Sequence, residues 1–207
     1  MSSSLALDDL LQQAEIAHGH LCAGQILGVR MAVLACRRLG IEEPRGKDRK
    51  RLITFVEIDR CATDAIGVVT GCRLGKRALK FRDWGKMAAT FVDLDRALEP
   101  DLYKALRVSA LESSKQKASE LYPYLEKNPQ QMLAYREMPD ELLFSEQWVQ
   151  VPLPRSEFPG FKGARVTCAV CGEGINYDRH TGGEDGVLCL GCSDLKHRYY
   201  QPLKSPD

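Results

Sequence analysis

Cys168-x2-Cys171 and Cys189-x2-Cys192 stand seventeen residues apart near the end of a 207-residue chain. Each C-x2-C turn can present two thiolates to one ion, and the spacer is long enough for a hairpin to bring the pairs together. A tetrahedral four-thiolate set suits zinc first and iron second. The alternative is two disulfides, which a reducing compartment and the paired spacing disfavour. With all four positions filled by cysteine, the site is closed and therefore structural rather than catalytic.

A second group lies near the start, in "EIAHGHLCAGQILG". His18, His20 and Cys22 at alternate positions offer imidazole and thiolate ligands to one ion. With Cys61 they define a possible second metal site, open enough for water or substrate. In the plainer reading, His18 is a core histidine bonded to a backbone carbonyl and His20 faces solvent. Cys22 and Cys61 both fall at expected helix starts, where the helix dipole favours thiolate. Cys36 sits mid-helix in an apolar run and reads as core, and Cys72 follows a glycine stop.

The elements that must hold these residues can be read from periodicity. Leu7, Leu10, Leu11, Ala14 and His18 mark an amphipathic helix over 5–18, broken by Gly19. A largely buried helix follows over 22–39 and stops at Gly40. "RGKDRKR" reads as a solvated loop, with a basic surface patch as the alternative. "LITFVEID" reads as a strand and "CATDAIGVVTG" as a short helix closed by Gly71. "ALKFRDWGKMAATFVDLD" reads as two strands joined by a turn at 83–85. From Pro100 the spacing of Leu102, Leu106, Ala110, Ala118, Leu121 and Leu125 predicts helix, and another helix runs from Pro129 to Met138. "SEQWVQVPL" reads as a last strand before the linker "PLPRSEFPG". "SDLKHRYYQPL", after Cys192, begins with a cap-like Ser-Asp and reads as a helix, which gives the knuckle, hairpin and helix plan of a treble clef. Helices and strands mix without βαβ alternation, so the fold class is α+β, with a boundary near 152–164.

Composition narrows the function. Twenty-nine Lys and Arg against 28 Asp and Glu leave a net charge of +1, no global case for nucleic acid or a membrane surface. Residues 145–207 carry seven Lys/Arg and eight Asp/Glu, so the finger lacks the basic face that phosphates require. The longest apolar stretch is interrupted by Gln25, two glycines and Arg30 and is too short to span a bilayer comfortably. No signal peptide is evident, so the cytoplasm is the expected compartment. "TGCRLGK" lacks the spacing and the Ser/Thr of a phosphate loop.

"HGHLCAGQILGVRMA", "DRCATDAIGVVTGCRLGKRALKFRDWGKMAATF" and the two C-x2-C motifs resemble the FmdE family of formylmethanofuran dehydrogenase-associated proteins. The resemblance extends over essentially the whole chain. It implies an FmdE-like α+β core domain over 1–155, with mixed helices and a mainly antiparallel sheet. It further implies a linker and treble-clef zinc finger over 156–207, and a homodimer. That family is named for association with a molybdenum- or tungsten-dependent enzyme that handles one-carbon units in methanogenesis. Its motif residues fall here at His18, His20, Cys22, Cys61, Asp64, Cys72 and Lys86, lining a core site. Ala23 stands where the motif has proline, which loosens the first helical turn without removing a ligand.

Three functions follow, in descending order. The chain is an accessory partner whose core His/Cys site binds metal or handles sulfur for a molybdenum or tungsten enzyme. Alternatively it is a stand-alone enzyme of one-carbon metabolism, with Cys22 or Cys61 as nucleophile, His20 as base and Lys86 steadying an anion. Thirdly, it is an interaction module in which zinc is purely structural.

Overall fold

The computed structural model describes residues 7–183, 186–196 and 198–201. The chain divides into two compact units, Met1–Pro154 and Arg155–Asp207. In the first, helices α1 (Leu7–His18) and α2 (Ala23–Leu39) lead to strand β1 (Leu52–Val56) and helix α3 (Cys61–Thr70). A 3-10 turn (Leu74–Lys76), β2 (Leu79–Phe81), β3 (Ala88–Glu99) and β4 (Leu102–Ala110) follow. Helices α4 (Ser113–Leu121), α5 (Lys127–Glu137) and α6 (Asp140–Leu143) precede the last core strand, β5 (Phe144–Pro152). The sheet order is β2-β1-β3-β4-β5, with β1–β2 parallel and the other pairs antiparallel. The fold is therefore α+β with a mainly antiparallel sheet.

Helix α2 is the centre of the core. Its buried face includes Ile26, Val29, Met31, Leu34, Ala35 and Leu39, which share one apolar cluster with Leu52, Val56, Phe91, Leu106 and Val108 from one face of the sheet. Register explains that face: Thr54, Phe91 and Leu106 lie opposite one another across β1, β3 and β4. Gly40, at φ +69°, ends α2, and the Ile41 N–H reaches back to the Cys36 carbonyl. Gly71, at φ +72°, ends α3 in the same way. Arg30 on α2 is the polar exception. Its guanidinium donates to the carbonyls of Tyr135 and Met138 at the end of α5 and to Asp140, which locks α5 and α6 onto the core.

Two expectations are corrected here. Residues 102–110 form β4 rather than helix, paired with β3 on one side and β5 on the other. Leu102, Leu106 and Ala110 are four apart, a spacing that fits one face of a strand as well as one face of a helix. Pairing on both edges decides for the strand, and Asp101, at φ +58°, supplies the reversal from β3. The two strands read in 78–95 exist, but they do not pair with each other, because β1 lies between them. The basic run is a folded turn. Buried Asp48 accepts the Glu42 and Glu43 N–H groups at 3.1 and 3.0 Å, and Arg51 bridges Asp48 to buried Asp93.

The second unit contains a 3-10 turn (Arg155–Glu157), β6 (Val166–Thr167) paired with β7 (Gly174–Ile175), and β8 (His180–Gly183) paired with β9 (Gly186–Cys189). Helix α7 (Leu190–Ser193) is a single turn. The helix expected after Cys192 is not formed over 194–196 or 198–201, where Leu195 and Tyr199 are exposed and give no apolar face to bury. His197 and 202–207 lie outside the described residues.

Two measurements check this packing. A Cβ added at Gly28 would fall 2.5 Å from the Ala62 carbonyl oxygen and 2.9 Å from the Ala65 Cβ. Gly28→Ala should therefore force α2 and α3 apart and cost about 1–3 kcal/mol in urea unfolding. The Glu43 N–H first, then Arg51 and the Glu42 N–H, hold the Asp48 carboxyl below its ordinary 3.8. A carboxyl lowered by folding contributes stability that is fully present above 3.8 and lost as the pH falls toward the folded value. Asp48→Asn should be less stable at neutral pH and lose less on acidification, as read by unfolding at stepped pH.

Candidate functional site

The C-terminal cysteines are positioned by two turns and a hairpin. Cys168 follows β6, Cys171 closes the turn before β7, Cys189 ends β9, and Cys192 lies on α7. Their four sulfurs all lie within 4.8 Å of one another, with Cys171 and Cys189 4.0 Å apart. A tetrahedral thiolate site with metal–sulfur bonds of about 2.3 Å needs sulfurs roughly 3.8 Å apart, so donor type and spacing both fit. None of the eight cysteines is in a disulfide. The backbone N–H groups of Cys171 and Cys189 draw the Cys168 thiol down to about 6, while the Cys189 thiol and burial push Cys192 up to about 12. Arg198 adds a cation, donating to the Cys192 sulfur at 3.1 Å and to the Gly191 carbonyl at 2.9 Å. This is a metal-binding cysteine cluster of zinc-finger type.

The core constellation comes from three helices. Cys22 caps α2 in an extended conformation, and Cys61 opens α3. The two cysteine side chains are neighbours, both against Gly24. Gly24 permits this approach, since a Cβ there would touch the Cys61 Cβ at 3.4 Å and the Cys22 sulfur at 3.8 Å. Burial first, then the Cys22 thiol, raises the Cys61 thiol above its ordinary 9.0. This reverses the lowering expected from a helix start: the backbone N–H of Cys61 does pull the thiol down, but burial outweighs it.

His18, at the end of α1, is bonded not to a backbone carbonyl but to the Asp64 carboxylate on α3, with Nδ1 2.8 Å from Oδ2. With the proton assigned to Nδ1, this pair fixes the ring and leaves Nε2 as an acceptor, the arrangement that orients metal-binding histidines. The exposed His20 ring lies 4.9 Å from that of His18. Among the described residues, three or more such ligands converge on one point in the four-cysteine cluster; in the core they meet as pairs.

Two motif residues stand apart. Cys72 follows the end of α3, about 15 Å along its ten-residue length from Cys61. It is buried against Thr54 Oγ1 and the Leu52 carbonyl, each 3.5 Å from its sulfur. Cys36 is core, its thiol pushed up to about 12 by burial and by the nearby Cys72 and Asp48. Lys86 lies on the loop after β2, its Nζ 5.6 Å from the centre of the Trp84 ring, without a hydrogen bond to either Cys22 or Cys61.

Sequence reading missed Gln25. It lies three residues beyond Cys22 on α2 and is fully buried, and neither amide atom has a hydrogen-bond partner among the described residues. The signal was present: it is the lone amide in an otherwise apolar run, and an unpaired buried carboxamide is costly.

An α+β core joined to a four-cysteine finger defines the class of protein. Residues 17–145 match the family described as "FmdE, Molybdenum formylmethanofuran dehydrogenase operon", and the chain belongs to this family. A relative from Archaeoglobus fulgidus, described as a probable S-adenosyl-L-methionine-binding protein, is 34% identical over 209 residues. That match covers 90% of this chain but 53% of the relative, so the chain spans about half the length of that curated protein. The crystal structure of a tungsten formylmethanofuran dehydrogenase FmdE-like protein from Syntrophus aciditrophicus superposes with a TM-score of 0.60 at 21% identity. The superposition covers 95% of this chain and 97% of that one, a likeness of fold. No helix among the described residues is long and apolar enough to cross a membrane.

The finger's role can be tested directly. Cys168→Ser or Cys192→Ser should each remove one equivalent of bound metal by elemental analysis. The C-terminal unit should then become protease-sensitive while the core keeps its circular dichroism.

Proposed function

We propose that this protein is an accessory partner of a molybdenum- or tungsten-dependent, formylmethanofuran dehydrogenase-type enzyme, and that its core His/Cys site binds metal or handles sulfur. The observation that carries this reading is the approach of Cys22 to Cys61 at the starts of two helices, with His18 oriented by Asp64 on the next turn of α3. Two neighbouring thiols, with the His18 imidazole held one turn further along α3, are the soft donor types that suit a late divalent metal or a sulfur carrier. Gln25, three residues beyond Cys22 on α2, supports the same reading, because its buried amide is left without a protein partner among the described residues. A bound ion would supply Lewis acidity or thiolate character; the chain's own part is to hold the thiols together and fix the His18 ring. In the finger the metal is zinc, and the cluster is a closed, structural four-cysteine site. The working unit is a cytoplasmic homodimer.

The stand-alone enzyme ranks second. It needs His20 as base and Lys86 as anion stabiliser, yet both are exposed and Lys86 lies over Trp84.

Metal analysis of the full chain separates the readings. Wild type should carry about two equivalents, one in the four-cysteine finger and one in the core site. His20→Ala combined with Cys22→Ser should lose one of them. Gln25→Leu should stabilise the metal-free protein by about 1–3 kcal/mol while weakening the second equivalent. A wild type with one equivalent, unaffected by the His20 and Cys22 changes, refutes the core metal site. S-adenosyl-L-methionine, the ligand named for the Archaeoglobus relative, is titrated alongside, and tight binding by this chain would replace the accessory reading.

A further inference from the structure

The segment "RLGKRALKFRDWGK", residues 73–86, holds six basic residues and one acidic one in a chain whose net charge is only +1. Arg73, Lys76, Arg82 and Lys86 are exposed, and among them stand Leu74 at 65%, Phe81 at 39% and Trp84 at 63% exposure. Large apolar side chains at this exposure forgo burial that the fold could have used. The main chain that carries Trp84 is held in place. The Trp84 and Lys86 N–H groups both donate to the Glu57 carbonyl at 3.1 Å, and Gly85, at φ +63°, donates to Asp83 Oδ1. Glu57 is itself clamped by Arg107 through two bonds of 2.7 Å. Lys86 lies over Trp84 and Arg82 over Phe55, each 5.6 Å from the ring centre. An exposed aromatic ring on a tethered main chain amid cations is the composition of an interface hot spot.

We propose that the surface carried by Leu74, Phe81, Arg82 and Trp84 is a docking site for an acidic partner protein. Charge complementarity selects the partner, and Trp84 supplies the apolar anchor. Contact is through side chains and not by strand addition, because the outer edge of β2 is already taken where the Leu79 N–H donates to the Arg73 carbonyl at 3.2 Å. Nucleic acid fits less well, since single strands are gripped by successive stacked rings and Trp84 already carries Lys86 over its ring. A membrane surface fits less well too, because the exposed apolar residues lie on a 3-10 turn, a short strand and a loop and not on an amphipathic helix. The site stands whether or not the core thiols hold metal.

Fluorescein-labelled poly-L-glutamate serves as the acidic probe, with full-length protein at low salt. Binding should weaken about tenfold in each of Arg82→Glu and Lys76→Glu, and also on raising the salt to physiological strength. Trp84→Ala should weaken binding several-fold, and Lys117→Glu on α4 should leave it unchanged. Circular dichroism confirms that each variant is folded, and metal content reports on the core site separately. Absence of polyglutamate binding, equal loss in Lys117→Glu, or tighter binding to oligo(U) or to phosphatidylserine vesicles overturns the proposal. So does a dimer in sedimentation that Arg82→Glu or Trp84→Ala dissolves, which would make the occupant a second copy.

Discussion

The close crossing of α2 over α3 is the constraint on which the core site depends. Gly24 and Gly28, one turn apart, let the first turn of α3 approach within the radius of a methyl group, with the Ala62 backbone seated against Gly28. No other residue type fits at Gly28, and the glycine's entropic cost in a helix is offset by that contact. The crossing sets Cys22 beside Cys61. It also brings Asp64, one turn further along α3, to His18 at the end of α1. The site is thus a product of helix packing, and its geometry is as rigid as the apolar cluster beneath it.

The sheet contributes through the carboxyl end of β1. The parallel pair β1–β2 requires a crossover, and α3 is that crossover, so its first residue, Cys61, lies just past the end of β1. The loop after β2 leaves from the same edge, and it hangs on Glu57, four residues before Cys61. Sites in sheets of this kind form outside the carboxyl ends of parallel strands, where crossover loops gather. Glu57 therefore ties three things together. Its carbonyl fixes the Trp84 loop, its N–H bonds to the Ala88 carbonyl in β3, and its carboxylate is neutralised by Arg107 on β4.

What can be read in the sequence depends on how local the determining interaction is. Helices α2 and α3 are legible because their glycine caps and apolar periodicity are local, and so is the C-x2-C pairing of the finger. Residues 102–110 mislead because a four-residue spacing serves both periodicities and only pairing with β3 and β5 decides between them. The β2–β3 connection misleads because β1, more than twenty residues earlier, inserts between two strands that are neighbours in the chain. The His18–Asp64 bond spans 46 residues and has no local signature. The helix-start argument places Cys22 and Cys61 correctly, yet it gives the wrong direction for the Cys61 thiol, because burial is a tertiary property.

The two cysteine-rich sites differ in what forms them, and this separates their chemistry. The finger has short strands, a single helical turn and few buried apolar residues, with Cys168 and Ile175 the principal ones. A unit so poor in core gains folding free energy from an ion held by its four thiolates, so an ion bound there would be committed to structure. Cys22 and Cys61 are brought together by helices packed on a large apolar cluster, and Gly24 leaves the Cys22 sulfur beside the first turn of α3. A ligand on a thiol pair supported in this way could come and go without unfolding the chain, unlike an ion that the finger needs to fold. On the proposed reading, the exchangeable site is the one in the core and the permanent one is in the finger, although every thiol in both comes from the same residue type.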